Sequence, residues 1–232
     1  MNIVITGGGR GIGKAIAEKF FVEGHKVLIC SRNEKQLATV KTELGSFAHG
    51  GSVEYMAADL SLKNEVVRFA NWVNSVAAPD VLVNNAGVYL PGNCYDEPEG
   101  SMETMMATNF YSAYHLTRAL LPAMLERKCG HIFNICSIAS LQAYAGGGGY
   151  SVSKYALKGF TDNLRHEMKP HGIKVTGVYP GAVFTDSWRG FDNSSNRIME
   201  PSDIASMIYA ATQLSPQAVV EDLVFRPQLG DL

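Results

Sequence analysis

Asn2-Ile3-Val4-Ile5-Thr6-Gly7-Gly8-Gly9-Arg10-Gly11-Ile12-Gly13 runs from an apolar strand through a glycine-rich turn into a helix. Asn2 to Thr6 reads as a buried strand, and the apolar residues from Ile12 to Glu23 recur at helical spacing. Glycines between them permit a tight turn and close backbone approach, and the helix N-terminus offers amides to a diphosphate. The strict Gly-x-Gly-x-x-Gly spacing is not met. Gly8, four residues and Gly13-Lys14 nearly complete a P-loop, but Ala15 stands where Ser or Thr would hold magnesium, which argues against a nucleotide triphosphatase.

Outward from that turn, strand-like and helix-like segments alternate to the end of the chain. That pattern predicts an α/β fold, a doubly wound parallel sheet of about seven strands with helices on both faces. Further strands are expected at Lys26–Cys30, Val53–Ala57, Val81–Val83, His131–Ile135, Lys174–Tyr179 and Val219–Phe225. Helices are expected at Asn33–Leu44, Leu62–Ala77, Ser101–Arg127 (kinked or shortened at Pro122), Tyr150–Met168 and Ile204–Thr212. With no repeat or linker, residues 1–232 read as one domain.

Composition narrows the classes. A net charge of −2 and a pI near 6.3 leave no footprint for nucleic acid or an anionic membrane. No apolar run reaches the length of a membrane span. The early strand predicts no signal peptide. The four cysteines, Cys30, Cys94, Cys129 and Cys136, form no paired framework, so a cytoplasmic protein is expected. The six histidines have no metal-ligand spacing, and no metal site is expected. There is no Gly-x-Ser-x-Gly elbow for a hydrolase.

Two constellations carry chemistry. The expected second strand ends Cys30-Ser31-Arg32, without the acid that binds adenosine ribose hydroxyls in NAD sites. Arg32, Ser31 and Arg10 are suited to grip a 2′-phosphate, because arginine presents a planar fork of donors. NADP(H) is therefore expected over NAD. Farther on, Tyr150 and Lys154 stand four residues apart, about one helical turn, with Ser137 thirteen residues before the tyrosine. A lysine cation there is expected to favour the phenolate and bring the phenol toward the working range.

These motifs in this order resemble the short-chain dehydrogenase/reductase family over nearly the whole chain. Thr6-Gly7-x-x-x-Gly11-x-Gly13 resembles its cofactor turn, Asp59-Leu60 its adenine contact, and Asn84-Asn85-Ala86-Gly87 its fourth-strand motif. Asn109, Ser137, Tyr150 and Lys154 match its catalytic set, and Pro180-Gly181 with Thr185 its nicotinamide segment. Gly9, Arg10, Ile12 and Val183 complete the expected cofactor contacts.

The resemblance implies a carbonyl reductase, or an alcohol dehydrogenase in reverse. Tyr150 would be the general acid, which is typically worth ~10²–10⁴-fold. Ser137 would donate to the substrate oxygen, and Lys154 would lower the phenol pKa and hold ribose hydroxyls. Asn109 would hold a water that resupplies protons. A homodimer or homotetramer is implied as well. The alternative is a dinucleotide-binding regulatory or sensor protein without turnover.

Four features depart from the family pattern or point to the substrate. Cys136 stands where the family often has serine. Gly146 to Gly149 is expected to be mobile and to leave room for a wide, flat substrate. A short lid spans about 185–200, with Trp188 and Phe191 in it, and Tyr89, Tyr95, Leu141, Gln142 and Tyr144 are expected around the pocket. Val219 to Pro227 is similar to bacterial sepiapterin-reductase-like members.

Overall fold

The computed structural model describes residues 1–188 and 190–231; Arg189, inside the expected lid, and Leu232 lie outside the described residues. Seven strands form one parallel sheet: β1 (Asn2–Thr6), β2 (Lys26–Ser31), β3 (Ser52–Ala57), β4 (Val81–Asn84), β5 (Gly130–Ile135), β6 (Ile173–Pro180) and β7 (Asp222–Phe225). Their order is β3-β2-β1-β4-β5-β6-β7, all neighbours parallel. The helices are α1 (Gly11–Val22), α2 (Glu34–Gly45), α3 (Lys63–Val76), α4 (Ser101–Met105), α5 (Ser112–Arg127), α6 (Gly148–Met168) and α7 (Pro201–Thr212).

Side chains alternate across a strand, so each strand feeds two cores. Ile3 and Ile5 join Val27, Ile29 and Val83 beneath α1, α2 and α7, with Phe20, Leu37 and Ile208. Val4 faces the other way, with Leu28, Leu82, Ile132 and Val175, against Phe69 of α3, Leu116 and Leu120 of α5 and Leu164 of α6. Burial on both faces explains why these strands read as continuous apolar runs. Among the described residues no helix is long and apolar enough to cross a membrane.

Three elements differ from expectation. The helix through Pro122 is not shortened and reaches Arg127; its irregularity is a π-helical stretch at Met106–Tyr111, between α4 and α5. The last strand starts at Asp222 rather than Val219, because Arg165 enters where the ladder would continue. Its guanidinium donates to Val175 O (3.0 Å), to Glu221 O and to the Asp222 carboxylate (2.7 Å). Helix α6 begins at Gly148, so Tyr150 is the third residue of its first turn.

Candidate active site

The strand order reverses between β1 and β4, and open α/β sheets bind ligands at the carboxyl ends of such a switch point. A cavity of about 460 Å³ lies there. One wall is the glycine turn, which is locked to the exit of β4. Thr6 Oγ1 accepts from the amides of Asn85 (2.9 Å) and Ala86 (2.8 Å), and Asn85 Nδ2 donates back to Thr6 O (2.8 Å). Gly13 closes the turn by approach: a Cβ there would lie 2.4 Å from Gly7 O. The first turn of α1 holds no acidic residue, so its amides present uncompensated positive character, suited to an anion.

At the far end, Ser31, Arg32, Asn33 and Gln36 face Ala58, Asp59 and Leu60 across the cavity. Arg32 makes no ion pair among the described residues. Arg10 is held differently: it pairs with Asp186 of the lid at 2.7 Å. The cation left for an anion at this end is therefore Arg32.

The opposite wall carries Ser137, Tyr150 and Lys154. Ser137 caps a short 3-10 turn (Ile138–Ser140), its Oγ accepting from the Ala139 amide at 3.1 Å and donating to Pro180 O at 3.5 Å, and it lines the same wall as the Tyr150 phenol. Lys154 is buried and donates to Ile135 O (2.8 Å), with its Nζ 5.8 Å from the centre of the Tyr150 ring. Burial pushes the Tyr150 phenol above its ordinary value, with Ser137 pulling it down and Cys136 and Tyr89 adding to the rise. Burial also brings Lys154 down to about 8. The direction at the phenol is thus opposite to the lowering expected from the lysine, since desolvation of the half-buried phenol outweighs a cation turned toward a carbonyl.

The family model described as short chain dehydrogenase matches residues 1–195. The chain belongs to the short-chain dehydrogenase family. It is 32% identical over 228 residues to an uncharacterized oxidoreductase of Staphylococcus aureus (strain MW2), covering 97% of this chain and 96% of the relative. It is 32% identical to the sepiapterin reductase of Chlorobaculum tepidum, covering 99% and 97%. A metagenomic short-chain oxidoreductase solved in complex with NADP superposes with a TM-score of 0.86 at 33% identity, covering 98% of this chain and 97% of that one.

Within this short-chain dehydrogenase, most of the expected cofactor residues line one cavity: Gly7, Gly9, Arg10, Gly11, Ile12, Ser31, Arg32, Asp59, Leu60, Asn85, Ala86, Gly87, Pro180 and Thr185. Five expected site residues do not line it. Thr6 and Gly13 shape the turn from behind, as above. Gly181 packs toward Phe225 O and Asp231, and Val183 is buried in a bridge to Met199. Asn109 sits in the π-helical stretch, its Oδ1 accepting from Val88 N (2.7 Å) and its Nδ2 donating to Val88 O (3.0 Å) and Ser153 Oγ (2.9 Å).

Around the wall that carries Tyr150, Tyr89 lines the cavity and packs edge-on against that ring, ring centres 5.0 Å apart. Tyr144 hydrogen-bonds Tyr89. Tyr95 points away and is 86% exposed. Leu141 and Gln142, like Trp188 and Phe191, lie off the cavity, and the last two pack against each other (5.3 Å). Among the described residues no group of three His, Cys, Asp or Glu is placed for a metal ion.

Sequence reading missed a buried relay behind the site. Asn84 donates to Thr117 (3.0 Å) and Asn134 (2.8 Å), and Asn134 donates to Thr161 (2.8 Å), tying β4, β5, α5 and α6 together. A polar Asn134 inside the apolar run His131–Ile135 was the available signal. The pairing of Asp186 with Arg10 left no local signal, because the partners are distant in sequence.

Proposed function

We propose that the protein is an NADP(H)-dependent carbonyl reductase, with Tyr150 as general acid. The observation that carries this is one cavity joining an anion-binding turn, an unpaired Arg32 and the Ser137–Tyr150–Lys154 wall. NADP(H) fits these residues: the α1 N-terminus would hold the diphosphate, Arg32 and Ser31 would hold the 2′-phosphate, and Asp59 and Leu60 would hold the adenine. Bound there, NADPH would supply the hydride.

The remaining chemistry falls to the chain. A raised phenol keeps its proton at neutral pH, which suits Tyr150 to give it to a carbonyl oxygen. Ser137, on the same wall as that phenol, is suited to donate to the same oxygen as charge develops on it. Lys154 presents a buried ammonium whose remaining donors suit ribose hydroxyls. Asn109 ties Val88 to Ser153 from behind Gly87 and so would hold the loop after β4 against α6. Tyr89 and Tyr144, exposed beside the acid, favour a substrate with a flat ring.

The protein is also expected to self-associate through Tyr111, Val152 and Tyr155, which are exposed on the π-helical stretch and α6. A monomeric mass by light scattering would contradict that. Four free thiols suit a reducing, cytoplasmic setting, which recovery from a secreted fraction would contradict.

The test is titration with NADPH and NADH, then NADPH consumption over a panel of aliphatic and aryl carbonyls. NADPH is expected to bind more tightly, and Arg32→Gln to weaken NADPH about tenfold or more while leaving NADH nearly unchanged. Binding without turnover across the panel would favour a sensor. Equal affinities insensitive to Arg32→Gln would remove the NADP assignment.

A further inference from the structure

Three of the four glycines before Tyr150, Gly147, Gly148 and Gly149, do not leave room for substrate, because protein fills the space beside them; a Cβ on Gly146 would meet nothing within 4 Å. A Cβ on Gly148 would lie 2.4 Å from Gly92 O, and one on Gly149 would lie 3.0 Å from both Glu97 oxygens and 2.9 Å from the Met105 methyl. The loop that follows β4 is laced to this run. Gly92 N donates to Gly146 O (3.2 Å), and Gly146 N donates to Asn93 Oδ1 (3.2 Å). Glu97 makes the decisive contact: its Oε2 accepts from the Gly149 amide at 3.0 Å.

That amide is one of the four that a helix leaves without an intrahelical partner. Gly147, at the N-cap of α6, contributes no side-chain cap. Two glycines open the helix, and glycine is among the weakest helix formers. Left alone, this turn would fray, and Tyr150 is its third residue. A carboxylate brought in from another loop gives a charge-assisted bond at the positive end of the helix. Small side chains at 148 and 149 are what let it approach.

We propose that Glu97 is a positioning residue for Tyr150, holding the first turn of α6 through the Gly149 amide. This rests on Tyr150 being the acid. The experiment compares Glu97→Ala, Glu97→Gln, Gly149→Ala and Tyr150→Phe. It measures kcat with the best carbonyl, NADPH affinity, and hydrogen exchange of amides 146–150 in the cofactor-free protein.

Glu97→Ala is expected to lower kcat about tenfold or more with NADPH affinity within about twofold, and to speed exchange in that segment. Glu97→Gln keeps an acceptor oxygen and is expected to restore most of both. Gly149→Ala, whose methyl displaces the carboxylate, is expected to lower kcat as Glu97→Ala does. It carries the test should Glu97→Ala fail to fold. Unchanged exchange and kcat in Glu97→Ala, kcat within about twofold of wild type in Gly149→Ala, or Glu97→Gln as impaired as Glu97→Ala, would overturn the proposal. Full turnover by Tyr150→Phe would instead remove the acid assignment; the exchange result would still judge the contact.

Discussion

His131 shows how one side chain ties stability to pH. It sits on β5 with its ring stacked on Phe133 at 4.0 Å and its Nε2 2.8 Å from Thr176 Oγ1. Thr176 gives its own proton to Val220 O at 2.6 Å, so it must accept from His131, whose Nε2 carries a hydrogen. Burial, helped by Lys174, brings this ring down from 6.5 to about 3. Between those values the unfolded chain binds a proton that the folded chain refuses. Stability therefore falls as pH falls through that window, by about 1.4 kcal/mol per pH unit from this group. His131→Gln should flatten the acid limb of a urea-melt series between pH 6 and 4; an unaltered limb would show that another group sets it. At this scale the sequence announced Arg32, because an expected acid was missing beside it. The pairing of Arg10 with Asp186 was illegible, since 176 residues separate the partners. The direction of the Tyr150 shift was missed because burial cannot be read from a four-residue spacing.

Elements were legible where burial dictates them and illegible where a single side chain from elsewhere intervenes. The strands flanking the switch point announce themselves as apolar runs because both faces are covered. The start of β7 does not, because side chains hold the carbonyls before it: Arg165 from α6 takes Val175 O and Thr176 takes Val220 O. The glycine run before α6 read as open, whereas Gly92, Glu97 and Met105 occupy the space beside Gly148 and Gly149. The π-helical stretch at Met106–Tyr111 left no periodic signal. It carries Asn109, whose amide makes three hydrogen bonds joining the loop after β4 to α6. Asn109→Ala leaves Val88 N–H and C=O without these partners. It should destabilise the protein by roughly 1–3 kcal/mol, since buried polar groups would lose their bonds. A denaturant midpoint equal to wild type would show that Asn109 has no part in holding that loop.

For the whole molecule, alternation of strand and helix was enough to read a doubly wound parallel sheet. The switch point then follows from the order β3-β2-β1-β4-β5-β6-β7, which brings the glycine turn and the tyrosine wall to one cavity. Closure of the molecule around that cavity was not readable. The lid is fastened at one end by Arg10 and at the other by Arg197, which donates to Gly230 O (3.0 Å) and Asp231 O (3.2 Å) near the end of the chain. On the proposed function, this architecture would deliver the proton of the Tyr150 phenol to a carbonyl beside a nicotinamide held in the same cavity. The most direct test is kcat of Tyr150→Phe against wild type on the best carbonyl, with NADPH affinity measured in the same preparation. Loss of about a hundredfold or more in kcat, with NADPH affinity within about twofold, is the expected result. Turnover by the phenylalanine variant within about tenfold of wild type would contradict Tyr150 as the acid.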